Sequence, residues 1–291
     1  MSEYALFSDS TLDLTPEVCE KYDITVIPMS VTIDGKSYKY NVDEKELSCA
    51  EFYEKLGGGA ACSTSQINYK DFKDNFEPVL KQGRDILYIS FTSGMSSTFG
   101  TCNVAINDLK AKYPERKIIA VDSLSASVGE GVLVHTAAKM RKNGTDIDTL
   151  AKWVEENRTK VCHWFVVDDL DQLKKGGRIS PTAAAVGKAL GIRPLISVDM
   201  NGKLTAVSKI RGQQKVYSEI VSRLVSDGVD TQEQTVIIGH ANCPEKAAQL
   251  KKIIKEKKLV KHVIIANVGP VIGAHVGSGM LALAFMGERN M

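Results

Sequence analysis

No apolar run in this chain approaches 18 residues, so no membrane-spanning helix is expected. The first residues, Met1-Ser2-Glu3-Tyr4, lack a basic stretch followed by a long apolar one, which argues against a secretory leader. Charge of one sign is also missing. Thirty-seven Lys and Arg face 35 Asp and Glu, a net +2, and nothing in that balance points to nucleic acid. The six cysteines, Cys19, Cys49, Cys62, Cys102, Cys162 and Cys243, form no C-x-x-C pair. We expect reduced thiols and a cytoplasmic protein. No His/Cys/Asp cluster has metal-ligand spacing, and Cys162-His163 is simply adjacent. The phosphate-loop pattern G-x-x-x-x-G-K-[ST] is absent. Gly277-Ser278-Gly279-Met280-Leu281-Ala282 imitates a dinucleotide fingerprint but lies too near the end for the βαβ unit that must carry it.

What is present is an alternation of short apolar runs with helical patterns. Strands are expected at Tyr4–Ser8, Ile24–Ile33, Ile86–Phe91 and Lys117–Asp122. Helices are expected at Pro16–Tyr22, Ser48–Leu56, Tyr69–Lys81, up to about Tyr113, and near Ser127–Lys142 and Ile147–Lys160. Pro78 should kink or shorten its helix. This alternation predicts a doubly wound, mostly parallel sheet, with ligands beyond the carboxyl ends of its strands. The second half reads differently. A strand at Val161–Val167 precedes a hairpin, Pro194–Val198 and Lys203–Ile210, around Asn201-Gly202. The helix Gln213–Ser226 follows, and then strands Val236–His240 and His262–Val268 flank the helix Pro244–Lys257. We therefore expect two domains, residues 1–160 as an α/β domain and 161–291 as an α+β domain with a mixed or antiparallel sheet.

The most informative stretch is Ser93-Gly94-Met95-Ser96-Ser97-Thr98, four hydroxyls in six residues between a buried strand and a helix. Such a turn offers orphan backbone N–H groups and O–H donors to an anionic oxygen. A plain helix cap needs only one hydroxyl. Cys62-Ser63-Thr64-Ser65-Gln66 reads alone as a helix N-cap, yet supplies a second hydroxyl set. Asp122–Gly131 is a third polar turn, and in a parallel sheet these turns share one edge. Gly176-Gly177-Arg178-Ile179-Ser180-Pro181 ends one helix and starts another, where the dipole disfavours Arg178. In the glycine-dense loop Val268–Gly279, His275 lies among small residues. Gly94-Met95-Ser96-Ser97-Thr98 resembles a nucleophile elbow without its final glycine.

In this order and at these separations, the loops resemble the DegV family of fatty-acid-binding proteins. The resemblance covers essentially the whole chain. It rests on Phe7-Ser8-Asp9-Ser10, Thr64-Ser65-Gln66, Ser93–Thr98, Asp122–Gly131, Leu173-Lys174-Lys175-Gly176-Gly177-Arg178-Ile179-Ser180 and Gly269–Gly279. It implies two α/β domains with one long-chain fatty acid buried between them. It also implies a separate ATP-dependent kinase that phosphorylates the bound carboxylate. By the resemblance, Thr64 and Ser96 hold the carboxylate, with Ser97 adding a hydroxyl and His275 beside it. Arg178 and Arg211 match basic positions tied to partner docking or the phosphoryl site. No catalytic residue, metal or cofactor is expected, and the chain should be a monomer with at most transient membrane-surface contact. Ser97, Phe99, Cys102 and Ser278 depart from the family pattern. Two other readings stay open: a Ser/His hydrolase built on Ser96 and His275, and a small-molecule sensor without a kinase.

Overall fold

The structure is a computed structural model describing residues 4–168, 170–180 and 191–289. A four-stranded, wholly parallel sheet forms from β1 (Tyr4–Asp9), β2 (Ile24–Ile27), β6 (Asp85–Ser90) and β7 (Ile118–Asp122), in the order β2-β1-β6-β7. Helices α3 (Tyr69–Lys81) and α4 (Thr98–Lys112) pack together beside it, and α5 (Val128–Lys142) packs with α6 (Ile147–Asn157). The chain winds outward from β1 in one direction and from β6 in the other. Their carboxyl ends are therefore the switch point at which doubly wound sheets bind ligands.

A six-stranded mixed sheet takes up the second half. Its order is β10-β9-β8-β13-β11-β12, built from β8 (Val161–Val166), β9 (Ile192–Val198), β10 (Leu204–Arg211), β11 (Thr235–His240), β12 (His262–Asn267) and β13 (Leu281–Met286). Only β11 and β12 run parallel. Helices α8 (Gln213–Asp227) and α9 (Pro244–Glu256) pack on this sheet around their own apolar cluster. Contacts from α5 to β8, β11 and β13 make one continuous core with the first sheet. Among the described residues, no sheet spans residue 160. Among the described residues, no helix is long and apolar enough to cross a membrane.

Several readings of the sequence change. The expected strand Ile24–Ile33 is two strands in different sheets. Pro28 has no N–H to continue a ladder, and beyond it β3 (Met29–Ile33) joins a third, antiparallel sheet between β4 (Lys36–Tyr40) and β5 (Cys62–Ser65). In that sheet β4 (Lys36–Tyr40) went unread, although Tyr38 and Tyr40 alternate inward after the Asp34-Gly35 turn. Cys62–Ser65 is a strand, β5, and not a helix cap. The glycine-dense loop contains a helix, α10 (Pro270–Val276), that begins at Gly269-Pro270. It packs on α2 (Cys49–Gly57) so closely that a Cβ at Gly273 would lie 2.6 Å from the Tyr53 hydroxyl. Strand β13 was also unread. Its run Leu281-Ala282-Leu283-Ala284-Phe285 is wholly buried, so it has no alternation to betray it. Helix α3 continues through Pro78 to Lys81. The start of the helix expected at Ser180-Pro181 lies outside the described residues.

Arg289 joins the two halves. The residue is 7% exposed, and its guanidinium donates Nε to Val161 O (2.6 Å), Nη1 to Leu124 O (2.9 Å) and Asp199 O (3.2 Å), and Nη2 to Ser125 Oγ (3.1 Å) and Arg158 O (3.0 Å). All five donors of the planar fork are used. Lysine has three donors and no fork. Arg289→Lys should therefore destabilise the protein by roughly 2–4 kcal/mol through stranded carbonyls. Urea unfolding of the two proteins measures this, and equal midpoints would refute the clamp.

Candidate functional site

Two of the three polar turns, those after β6 and β7, share the carboxyl edge of the parallel sheet, whereas Cys62–Ser65 belongs to strand β5 of the small antiparallel sheet and does not. After β6, the turn 91–97 carries Ser93, Ser96 and Ser97. Asp122, at the end of β7, accepts from Ser93 N–H (3.1 Å) and Leu124 N–H (3.0 Å), which pins the turn to the neighbouring strand. From the second half, the Asn201-Gly202 hairpin turn abuts the same loop. Thr92 Oγ1 donates to Gly202 O (3.1 Å), and a Cβ at Gly94 would come within 2.6 Å of Asn201 O.

A cavity of about 510 Å³ lies against this turn, within the usual range for ligand pockets. Apolar groups such as Phe91, Phe165, Val271, Met280 and Ala282 line much of it, and Thr64, Ser96, Ser97, His275 and Arg178 also face it. Five of the six residues singled out from the sequence therefore meet around one space. Arg211 does not. It ends β10, exposed, and lines neither this cavity nor the hollow beside it. That second hollow, about 500 Å³, shares Thr64, Arg178 and His275 with the first and adds Cys62, Ser63 and Lys175.

Strand alternation aims Thr64 inward and turns Ser63 and Ser65 out. Register opposite Val31 brings Thr64 under α10. There Thr64 Oγ1 and His275 Nε2 are 2.8 Å apart. The ring is neutral, pushed down to about 4 by burial and then by the Arg178 guanidinium. Its Nδ1 is buried without a partner and sits over Gly176, where a Cβ would come within 2.2 Å of it. Ser96 belongs to a different pairing. Its Oγ accepts from Thr98 N–H (3.2 Å) and lies 2.9 Å from Thr98 Oγ1. Ser96 thus caps α4 from within the turn, while exposed Ser97 makes no capping bond with its side chain. Ser96 has no bond to His275, and no carboxylate orients that ring, so the relay a hydrolase needs is not assembled among the described residues. Arg178 crosses to the turn, donating Nε to Met95 O at 3.3 Å and Nη1 to Gly176 O at 2.5 Å.

Sequence reasoning missed what lies beneath. Asp9, Asp13 and Glu130 are all fully buried, and each is pushed up chiefly by burial. Asp9 accepts from Phe91 N–H (2.9 Å), Tyr88 OH (2.8 Å), Thr11 N–H (3.2 Å) and Thr11 Oγ1 (2.5 Å). Glu130 meets only two hydroxyls, Ser8 (3.0 Å) and Thr11 (2.9 Å). Each of these has a second acceptor, Ile89 O for Ser8 (2.8 Å) and Asp9 for Thr11. A hydroxyl has one proton to give. Glu130 is therefore the neutral acid, donating to Thr11, and Asp9 is the carboxylate. The signal was the run Asp9…Asp13 at a strand end, facing Glu130 between two glycines.

Comparison with known proteins agrees with this architecture. The family model described as "Uncharacterised protein, DegV family" matches residues 3–288. The chain belongs to the DegV family. The DegV domain-containing protein CPE0026 of Clostridium perfringens is 42% identical to this DegV protein over 290 residues, covering 100% of this chain and 99% of the relative. Two solved structures are alike throughout. A DegV lipid-binding protein from Thermotoga maritima has a TM-score of 0.86 at 28% identity, covering 99% of this chain and 100% of that one. DegV from Bacillus subtilis, described as a fatty acid binding protein, has a TM-score of 0.85 at 28% identity with the same coverage.

A proton held on Glu130 has a sign. The folded state keeps it above the pH at which an unfolded Glu, near 4.3, releases its own. Folding stability contributed by this group is then fully present below that value and is lost as pH rises toward the raised folded one. Glu130→Gln keeps the donor to Thr11 and removes the titration. Chemical denaturation from pH 5 to 8 should show a flatter decline for Glu130→Gln than for the unaltered protein; parallel curves would place the proton elsewhere.

Proposed function

We propose that this DegV protein binds one long-chain fatty acid in the cavity and presents its carboxylate to a separate ATP-dependent kinase for acyl-phosphate formation. The observation that carries this reading is the meeting of Thr64, Ser96, Ser97 and His275 around a mostly apolar cavity of tail-accommodating size. The lipid-binding Thermotoga maritima protein and the fatty acid binding Bacillus subtilis protein, both of the same fold, support it. About 15 buried methylenes contribute roughly 12 kcal/mol of gross transfer energy, which chain ordering and lost rigid-body freedom offset in large part.

The head group then needs donors, because a bare carboxylate is not buried. For Thr64 to donate to it, Thr64 must accept from His275, which puts the imidazole proton on Nε2. The unpartnered Nδ1 over Gly176 is the lone-pair nitrogen in that tautomer. The relay runs from His275 Nε2–H to Thr64, and from the Thr64 hydroxyl to the carboxylate. Both groups are neutral, so the carboxylate keeps its negative charge and its nucleophilicity toward a phosphoryl group. The domain division near residue 160 sets this site between two halves. Arg178, which faces both hollows, suits a phosphoryl oxygen or a partner carboxylate, and exposed Arg211 suits partner docking.

Mass spectrometry of lipid released from purified protein should find a fatty acid, and repeated absence with no binding of added stearic acid would reject the reading. Thr64→Val or Ser96→Ala should weaken stearic acid binding by roughly 1.5–3 kcal/mol, measured by calorimetry. An unchanged affinity removes that residue from the site. Arg211→Ala should leave stearic acid affinity intact and lower acyl-phosphate formation with a cognate kinase. Turnover equal to that of the unaltered protein refutes its docking role.

A further inference from the structure

Helix α10 carries His275 but has no cap of its own. Its N-cap, Gly269, has no side chain, and Pro270 brings no donor. The Gly269 amide donates instead to Asp13 Oδ1 at 2.8 Å, a partner 256 residues away. The other oxygen, Oδ2, lies 2.6 Å from Ser127 Oγ. Ser127 is the N-cap residue of α5, lines the cavity, and sits at φ 54°, ψ −141°. A residue with a Cβ holds such a conformation only where its surroundings impose it. Asp13 is itself at φ 46°. One buried carboxyl group thus ties together the starts of two helices that both wall the cavity.

The setting of Asp13 is costly. Asp9 and Glu130 face it from β1 and α5, Tyr40 from β4, and Cys49 and Tyr53 from α2. None of these is a cation. A buried carboxyl group without a cation is disfavoured, and an apolar residue would fill the space with less penalty. What an apolar residue cannot do is accept from Gly269 while bonding Ser127.

We infer that Asp13 is a positioning residue of the head-group site, capping α10 from the far end of the chain and so fixing the His275 ring against Thr64. It touches no ligand. Helix α10 has only seven residues, about 10 Å of helix, so a shift at its start reaches the last turn, where His275 stands. The consequence for lipid affinity rests on the carboxylate-site reading above; the consequence for the His275 ring does not.

Two readouts on three proteins test this: the NMR titration of the His275 imidazole, and stearic acid affinity. Asparagine can accept from Gly269 through its carbonyl oxygen and donate to Ser127 through its amide; alanine can do neither. In the unaltered protein and in Asp13→Asn, His275 should titrate near pH 4. In Asp13→Ala the midpoint should rise toward the ordinary 6.5, and stearic acid affinity should fall about tenfold or more. Asp13→Asn should recover most of that affinity, to within about threefold of the unaltered protein. An unmoved His275 midpoint in Asp13→Ala, or Asp13→Asn behaving as Asp13→Ala, overturns the assignment. Should Asp13→Ala not fold, hydrogen exchange at the Gly269 amide decides: slow exchange in the unaltered protein and in Asp13→Asn upholds the cap, and exchange at exposed-loop rates overturns it. If His275 shifts as expected but no protein binds stearic acid, the positioning role stands and the lipid reading fails.

Discussion

The cavity depends on how closely α5 lies against its neighbours. At Gly129 a Cβ would fall 1.9 Å from His163 Nε2, and at Gly131 one would fall 2.5 Å from Leu12 O. Between them Glu130 reaches down to Ser8 and Thr11. The Gly-Glu-Gly run therefore allows two strand systems to approach one helix from both sides and places one polar side chain where they meet. Interiors packed this tightly transmit displacement, because a side chain has nowhere to yield. Turn 91–97, helix α10 and the Asn201-Gly202 hairpin turn all take their positions from that seam, and the space they leave is the cavity.

Polar satisfaction does what charge pairing does elsewhere. Asp9, Glu130 and Asp13 lie buried with no cation among them, and each is committed to a different part of the cavity wall. Asp9 holds Phe91 N–H at the start of turn 91–97, Glu130 holds the segment after β1, and Asp13 holds α10. On the far side, Arg289 spends its whole fork on neutral oxygens. Burial draws it down to about 10, still charged at neutral pH. Networks satisfied this fully are rigid.

Much of this was legible along the chain. The elements of the parallel sheet follow from β-rich apolar runs alternating with helical periodicity, and the Asn-Gly hairpin from its two turn residues. The hydroxyl-rich turn after β6 was legible because its hydroxyls exceed what one cap needs. The small sheet was not. Thr64 reads locally as part of a cap because Ser and Thr serve caps and strands alike; only the open edge of β3 makes β5 a strand. Helix α10 was hidden by its glycines, which signal loops in isolation and here allow contact with Tyr53.

Elements whose signals are local were legible in the chain alone: strand runs, helix faces, turn residues and the hydroxyl-rich turn after β6. Tertiary structure decided who meets whom. Thr64 pairs with His275, not Ser96 with His275, because β5 lies under α10 while Ser96 is taken up by the cap of its own helix. Arg211, equally basic in the sequence, is left on the exposed end of β10, whereas Arg178 is brought to the cavity. The physical reason is range. Backbone propensity acts over a few residues, whereas the partner of a buried polar group is set by close packing and hydrogen-bond satisfaction between segments up to 256 residues apart.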